Sequence, residues 1–134
     1  MTVRRLDHVA LPVDDMDAML GFYRALGFTV DDSYAPKLYS VCQGDMKFNL
    51  HAPALWRSPR FELRGPSATP GCGDVCLVWD GTEDDLEAVL AAAGATVIEG
   101  PAPRVGGADG GTTTGTSRYC RDPDGNLLEF IVYP

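Results

Sequence analysis

Residues 6–30 read LDHVALPVDDMDAMLGFYRALGFTV, and residues 72–97 read CGDVCLVWDGTEDDLEAVLAAAGATV. The two stretches repeat one pattern: His8 aligns with Asp74, which lies 66 positions later (74 − 8). In each copy a short apolar run comes before a helical pattern that ends at a glycine. The chain is therefore composed of two halves of one design, and this repeat decides the fold.

Each half contains one capped amphipathic helix. Asp14 or Asp15 in the first half, and Thr82 in the second, are suited to accept hydrogen bonds from the free N–H groups of the first turn. Gly27 and Gly94 are predicted to end the helices, because glycine enters the left-handed C-cap without a Cβ penalty. The apolar residues that recur at helical spacing are predicted to be core: Met16, Met19, Leu20, Tyr23 and Leu26, then Leu86, Val89, Leu90 and Ala93.

Short strands follow each helix, so each half is predicted to be β-α-β-β-β and the fold class α+β. We treat residues 1–134 as one domain, with a first module at about 4–52, a connecting loop at about 53–72 and a second module at about 73–134. The strands predicted after the helices are 28–31, 37–42 and 46–51, then 96–99, 117–121 and 126–133, where Asp122-Pro123-Asp124-Gly125 forms the last turn.

Two segments break the symmetry. The connecting loop is rich in proline, and residues 101–116 are dominated by glycine and threonine. Both are predicted to be loops. The second is either a lid over a site or a slack surface insertion.

Composition excludes several classes of partner. With 11 basic and 19 acidic residues the net charge is −8, so the field of the protein repels nucleic acid and anionic lipid. No apolar run approaches the roughly 20 residues of a membrane helix, and no signal peptide is visible. We expect a cytoplasmic protein with four reduced cysteines, of which Cys76 is a buried strand thiol.

Four polar residues occupy matching strand positions in the two halves. Because strand side chains alternate between faces, His8 and Asp74 become symmetry mates if the halves curl around a pseudo-twofold axis, and so do Asn49 and Glu129. His51 shares a face with Asn49. Imidazole and carboxylate together favour zinc, iron, nickel or manganese over calcium. The alternative for each residue alone is a solvated or hydrogen-bonded strand side chain.

The opening LDHVALPVDDMDAMLGFYRALGF and the closing YCRDPDGNLLEF resemble the glyoxalase/bleomycin-resistance/dioxygenase superfamily, also called vicinal oxygen chelate proteins. Within it, KFNLHAP, PGCGDVCLV and DPDGNLLEFIVYP most resemble small glyoxalase-domain proteins of the virulence-associated type. The resemblance implies paired modules that form a cup-shaped mixed sheet with helices outside, and it implies a homodimer.

The resemblance also implies a metal site on the first and fourth strands of each module. His8 matches the first ligand and Glu129 the last. Asp74 stands where histidine is usual and Asn49 where Glu or Gln is usual, so two positions depart from the family pattern. His51 is a substitute ligand for Asn49 after a small register change. A metal-free binding cup is the alternative.

The family chemistry implies a glyoxalase-like lyase or isomerase. A small metabolite with two adjacent oxygens, a thiol conjugate among the options, would chelate the metal while Glu129, or else Asp74, moves a proton between neighbouring carbons. Further substrate-binding candidates are Asn49, Arg118, Tyr119 and Trp79, with Arg104 and Arg121 as other arginines able to hold an anionic group.

Other functions stay open. One is a non-catalytic protein that sequesters a flat aromatic or cationic drug between aromatic walls, for which Trp56, Phe61, Trp79 and Tyr119 are the candidates. Metal-assisted addition of thiol or water to an antibiotic is another. A ring-cleaving dioxygenase is disfavoured, because its usual two histidines and one carboxylate do not match the histidine positions here.

Overall fold

The computed structural model describes residues 1–134. Eight strands and two three-turn helices form its framework, with two further short helical turns. The elements in chain order are β1 (His8–Pro12), α1 (Met16–Ala25), β2 (Thr29–Asp31), β3 (Leu38–Gln43), β4 (Met46–His51), α2 (Pro53–Trp56), β5 (Asp74–Val78), α3 (Glu83–Ala92), β6 (Glu99–Val105), α4 (Ala108–Gly111), β7 (Thr114–Arg121) and β8 (Leu127–Val132).

Each half forms one four-stranded sheet, and the two sheets have the same topology. The strand orders are β1-β4-β3-β2 and β5-β8-β7-β6. In both, the first strand runs parallel to the last and the remaining pairs are antiparallel. This confirms the α+β class and the repeated β-α-β-β-β module.

The helix caps confirm two local predictions. Asp15 accepts a hydrogen bond from the Ala18 N–H at the start of α1. Thr82 and Asp85 cap α3 reciprocally, each side chain accepting a hydrogen bond from the other residue's backbone N–H. These bonds satisfy donors that the first helical turn leaves free.

The apolar faces of both halves join in one core. Tyr23 of α1 lies at its centre, with its ring 5.7 Å from that of Phe48 on β4. The cluster contains 17 buried residues from both halves, among them Leu11, Leu77, Leu86, Leu90, Leu128 and Phe130. Because one core spans both sheets, neither half has a complete core of its own.

The last hairpin turn ties the second half to the first. The Asp124 carboxylate accepts the N–H groups of Asp14 and Asp15, just before α1. Buried Asp122 accepts a hydrogen bond from the Tyr23 hydroxyl, with an O···O distance of 2.8 Å. We call residues 122–126 the clamp turn.

The sequence prediction was wrong for part of residues 101–116. Residues 101–105 continue β6 and residues 114–116 begin β7. Pro101 and Pro103 disfavour a strand, but β6 lies at the edge of its sheet, where a missing N–H breaks no ladder. Between these strands lies α4, a distorted turn whose Ala108 N–H donates to the Tyr133 hydroxyl.

Each sheet therefore has two unlike faces. The helix face packs against the helices and the common core. The opposite face, which we call the open face, carries His8, Asn49, Asp74 and Glu129, and much of it is exposed. No helix has the length and hydrophobicity of a membrane span.

Candidate functional site

The open face of the second half centres on Glu129. Strand register places Cys76 and Tyr119 directly beside it, on β5 and β7. The Ser117 hydroxyl donates to Glu129 Oε1 at an O···O distance of 2.6 Å. Asp74 lies one step along, paired with Leu127. The carboxylate is thus half-buried and oriented by a fixed donor.

Cys76 is on this open face and is exposed, so its prediction as a buried strand thiol was wrong. Partial burial of the thiol, the charge of Glu129, a hydrogen bond with that carboxylate and the charge of Asp74 raise the pKa of Cys76 to about 12. The thiol is therefore protonated at neutral pH in the metal-free chain, which makes it a poor nucleophile there. It is better described as a neighbour of Glu129.

The open face of the first half has a matching but less acidic arrangement. Asn49 lies opposite Ala10, as Glu129 lies opposite Cys76. Its side-chain oxygen accepts a hydrogen bond from the Ser40 hydroxyl at 2.8 Å. The register thus places Asn49 and Glu129 at equivalent points of the two halves, each oriented by a serine.

The two histidines lie apart on the first open face. His8 is exposed and pairs with Asp7, with 2.7 Å between Nδ1 and Oδ1. His51 lies at the other end of this face and is only 6% exposed, beneath the Phe61 ring. Its pKa is lowered by burial and by the nearby Arg64 charge. His51 therefore does not join His8 around Asn49.

Two predicted substrate-binding residues are on the wrong face. Trp79 follows β5 and packs against the core, because its neighbours Asp74, Cys76 and Val78 take the open face. Arg118 is buried on the helix face, where its guanidinium pairs with Glu83 and Glu87 of α3 at 3.2 and 2.8 Å. Alternation along β7 puts Tyr119, not Arg118, on the open face. Trp79 and Arg118 are therefore not candidates for substrate binding on that face.

The residues present fit a metal in chemistry but not in the geometry of one chain. One imidazole and two carboxylates, from His8, Asp74 and Glu129, are suitable ligands for a divalent transition metal. No three His, Cys, Asp or Glu side chains, however, lie close enough within the chain to hold an ion. A single copy thus offers no metal site.

No sequence pattern singles out the residues that orient this site. Ser40 and Ser117 are ordinary strand serines, and their role appears only once cross-strand neighbours are known. Alternation along β7 separates Ser117 and Tyr119 from Arg118, and the pairing of β7 with β8 puts Ser117 and Tyr119 on the face of Glu129.

Fold, module repeat and site position define a class of protein. The chain belongs to the Glyoxalase/Bleomycin resistance protein/Dioxygenase superfamily, whose profile matches residues 5–130. It is similar to virulence protein STM3117 of Salmonella typhimurium, with 33% identity over 134 residues that cover 99% of this chain and 87% of the relative. The crystal structure of that protein matches with a TM-score of 0.84, covering 100% of both chains at 32% identity.

A second relative is glyoxalase domain-containing protein RDO1 of Mycosarcoma maydis, which is 33% identical over 133 residues covering 99% of this chain and 70% of that one. More distant structures share the fold. Lactoylglutathione lyase from Agrobacterium tumefaciens is 23% identical, covers 98% and 96% of the two chains and has a TM-score of 0.70. The bleomycin resistance determinant of transposon Tn5 is 25% identical, covers 97% and 98%, and has a TM-score of 0.61.

Proposed function

We propose that the chain is a glyoxalase-type lyase or isomerase that acts on a small metabolite with adjacent oxygens. The observation that carries the proposal is the Glu129 carboxylate, held by Ser117 at 2.6 Å on an open sheet face. A general base needs a carboxylate within hydrogen-bond reach of the carbon acid, in a fixed orientation. Glu129 meets the orientation requirement and is accessible from the open face.

In this reaction Glu129 takes a proton from a carbon beside a carbonyl and returns it to the neighbouring carbon. The electron pair of the broken C–H bond becomes the C=C bond of the enediolate while the carbonyl π pair moves onto its oxygen. That C=C pair then forms the new C–H bond, the hydroxyl oxygen of the first carbon forms the new carbonyl, and its proton passes to the former carbonyl oxygen, so no oxidant or reductant is consumed. Tyr119 lies directly beside Glu129 and presents a phenol on the same face. We assign it to substrate binding, and Asp74 to the second carboxylate of the site.

The proposal includes a homodimer. The open faces are exposed in one chain, and Val78, beside Cys76 on that face, is 68% exposed. Apposition of two copies would cover such apolar groups. It would also allow the partner subunit's His8 to approach Asp74 and Glu129, giving the imidazole and two carboxylates that zinc, nickel, manganese or iron accept. Bound there, a metal would supply Lewis acidity for the enediolate.

The second candidate function is metal-free sequestration of a small molecule, and the Tn5 relative is named as a bleomycin resistance determinant. It is favoured by the absence of three converging metal donors in one chain. This function is less well supported because the predicted aromatic side chains do not form walls around one cavity. Trp79 packs against the core, and the Trp56 indole N–H is bonded to the Val13 carbonyl.

Proton exchange tests the lead proposal. Protein purified without an affinity tag is first assayed for metal content and titrated with Zn, Ni, Mn and Fe(II). Loss of the α-proton of hydroxycarbonyl and oxo-aldehyde compounds, with and without a thiol, is then followed by NMR in D2O. Glu129→Gln should slow exchange roughly 100-fold or more, while Glu62→Gln in the connecting loop should not.

Two results would contradict it. Exchange that survives Glu129→Gln would remove the base, and protein that takes up no metal yet retains small aromatic molecules would favour sequestration. Sedimentation velocity supplies the oligomeric state: a monomer at micromolar concentration would exclude the two-chain site.

A further inference from the structure

A depression of about 540 Å³ lies on the open face of the second half, next to the row that contains Glu129. Two arginines line it, Arg104 from β6 and Arg121 at the end of β7. Tyr119 stands between them, and Glu99 is the one carboxylate in the lining. The local charge is therefore positive, although the protein carries a net charge of −8.

Arg104 is held in place by neutral groups. Its Nε–H donates to the Tyr119 hydroxyl at 3.0 Å, and Nη1 donates to the Pro103 carbonyl at 2.9 Å. Its guanidinium carbon also lies 5.5 Å from the centre of the Tyr119 ring. These contacts restrict the side chain without neutralising its charge, and they leave Nη2 without a protein acceptor.

Arg121 is placed in the same manner. Its Nη1 donates to the Gly125 carbonyl in the clamp turn at 3.1 Å. Neither Arg104 nor Arg121 has a carboxylate within 4 Å, whereas Arg5, Arg57 and Arg118 each form an ion pair. Two oriented guanidiniums with free N–H groups suit the oxygens of a carboxylate or phosphate.

We propose that Arg104 and Arg121, arranged around Tyr119, form an anion-binding subsite, and that the ligand is a small metabolite carrying a carboxylate or phosphate. The inference rests on the proposed function, for which it specifies the substrate class. Glu129 lies on β8, Tyr119 on the next strand and Arg104 on the strand after that. Tyr119 pairs directly with Glu129, so at about 4.8 Å per strand the Tyr119 edge of the depression begins about 5 Å from the backbone of the proposed base.

An NMR titration tests this subsite without any turnover. The arginine Nε–H signals and the Tyr119 amide are followed while inorganic phosphate or succinate is added, with sodium chloride of equal ionic strength as the reference. We expect saturable shifts confined to Arg104, Arg121 and Tyr119. Arg104→Gln should weaken binding about tenfold, the loss expected for one charge-assisted contact, and Arg24→Gln on the exposed surface of α1 should not change it.

Comparing the two anions distinguishes carboxylate from phosphate ligands, because a planar carboxylate and a tetrahedral phosphate place their oxygens differently against the two guanidinium groups. Shifts that stay linear, equal those of chloride or survive in Arg104→Gln would overturn the subsite. Binding of an anion in protein that catalyses no proton exchange would leave the subsite standing and remove the proposed reaction, so the two failures can be told apart.

Discussion

Replacing Tyr23 by phenylalanine should destabilise the fold more than the loss of one hydroxyl from a core usually does. The hydroxyl donates to Asp122 Oδ2 at 2.8 Å, and both residues are buried. Asp122 also accepts the backbone N–H groups of Asp124 and Asn126 and the Asn126 side-chain N–H. Tyr23→Phe removes one of these four donors from a carboxylate that water reaches poorly.

The expected cost is about 1.5–3 kcal/mol, the range for a hydrogen bond to a charged group. For a chain of this size that corresponds to a fall of roughly 5–10 °C in Tm. Urea unfolding followed by circular dichroism at pH 7 measures it. Tyr39→Phe is the matched control, because Tyr39 packs against the same core and its hydroxyl has no hydrogen-bond partner in the protein.

The cost should also depend on pH. Burial raises the pKa of Asp122, while the hydrogen bonds from Asn126 and Tyr23 lower it. Without the Tyr23 hydroxyl the folded-state pKa rises further above the ordinary value of 3.8. A group with a raised folded pKa favours the fold below its unfolded pKa, and that contribution is lost as the pH rises through the folded value. The penalty of Tyr23→Phe should therefore be full at pH 7 and shrink as Asp122 is protonated.

Equal losses for Tyr23→Phe and Tyr39→Phe would refute this account of the clamp turn. A penalty that grows on acidification would refute it as well, because it would mean that the hydroxyl does not act on an ionised Asp122. The measurements need the same urea dependence in all variants, since a change of slope would indicate an altered unfolded state.

Two further perturbations test the second sheet. Gly100→Ala should destabilise the fold by about 3 kcal/mol, because Gly100 has φ +102° and a Cβ there would collide with the Ser117 carbonyl. Gly21→Ala, in open space within α1, should instead stabilise the fold by about 0.5–1 kcal/mol. Equal Tm values for the two variants would contradict this prediction. Replacing both glutamates that pair with Arg118 by glutamine should destabilise the fold more than Arg118→Met, because only the double replacement leaves a buried unpaired charge. The reverse order of Tm values in thermal unfolding would show that the guanidinium is solvated.

Local rules predicted most of the fold. The helices, their caps at Asp15 and Thr82, and the strand of residues 46–51 follow from periodicity and side-chain chemistry within a few neighbouring residues. The failure at residues 101–105 has a different origin. Whether two prolines are tolerated depends on which strand lies at the edge of a sheet, and that is a property of the whole topology.

The site was predicted less completely for the same reason. Alternation within single strands placed Asp74 with Cys76, and Glu129 with Leu127 and Ile131. The pairing of β5 with β8 then puts both carboxylates on one face. Alternation also separates Trp79 from Asp74, Cys76 and Val78, and Arg118 from Ser117 and Tyr119, but which set lies on the open face depends on how the strands pair. The convergence of His8 with the two carboxylates depends on contacts between the two halves. Within one chain these side chains do not lie close enough together to hold a metal ion.

The clamp turn has a consequence for how the duplicated halves depend on each other. Its counterpart in the first half, residues 43–45, binds Arg5 of its own half through Asp45. Only the second turn sends Asp122 and Asp124 across to α1. The halves are alike in topology but no longer interchangeable. We therefore expect two fragments, cut within residues 57–70, to regain the fold only when both are mixed, as circular dichroism would show, and two copies of the first fragment not to replace the second.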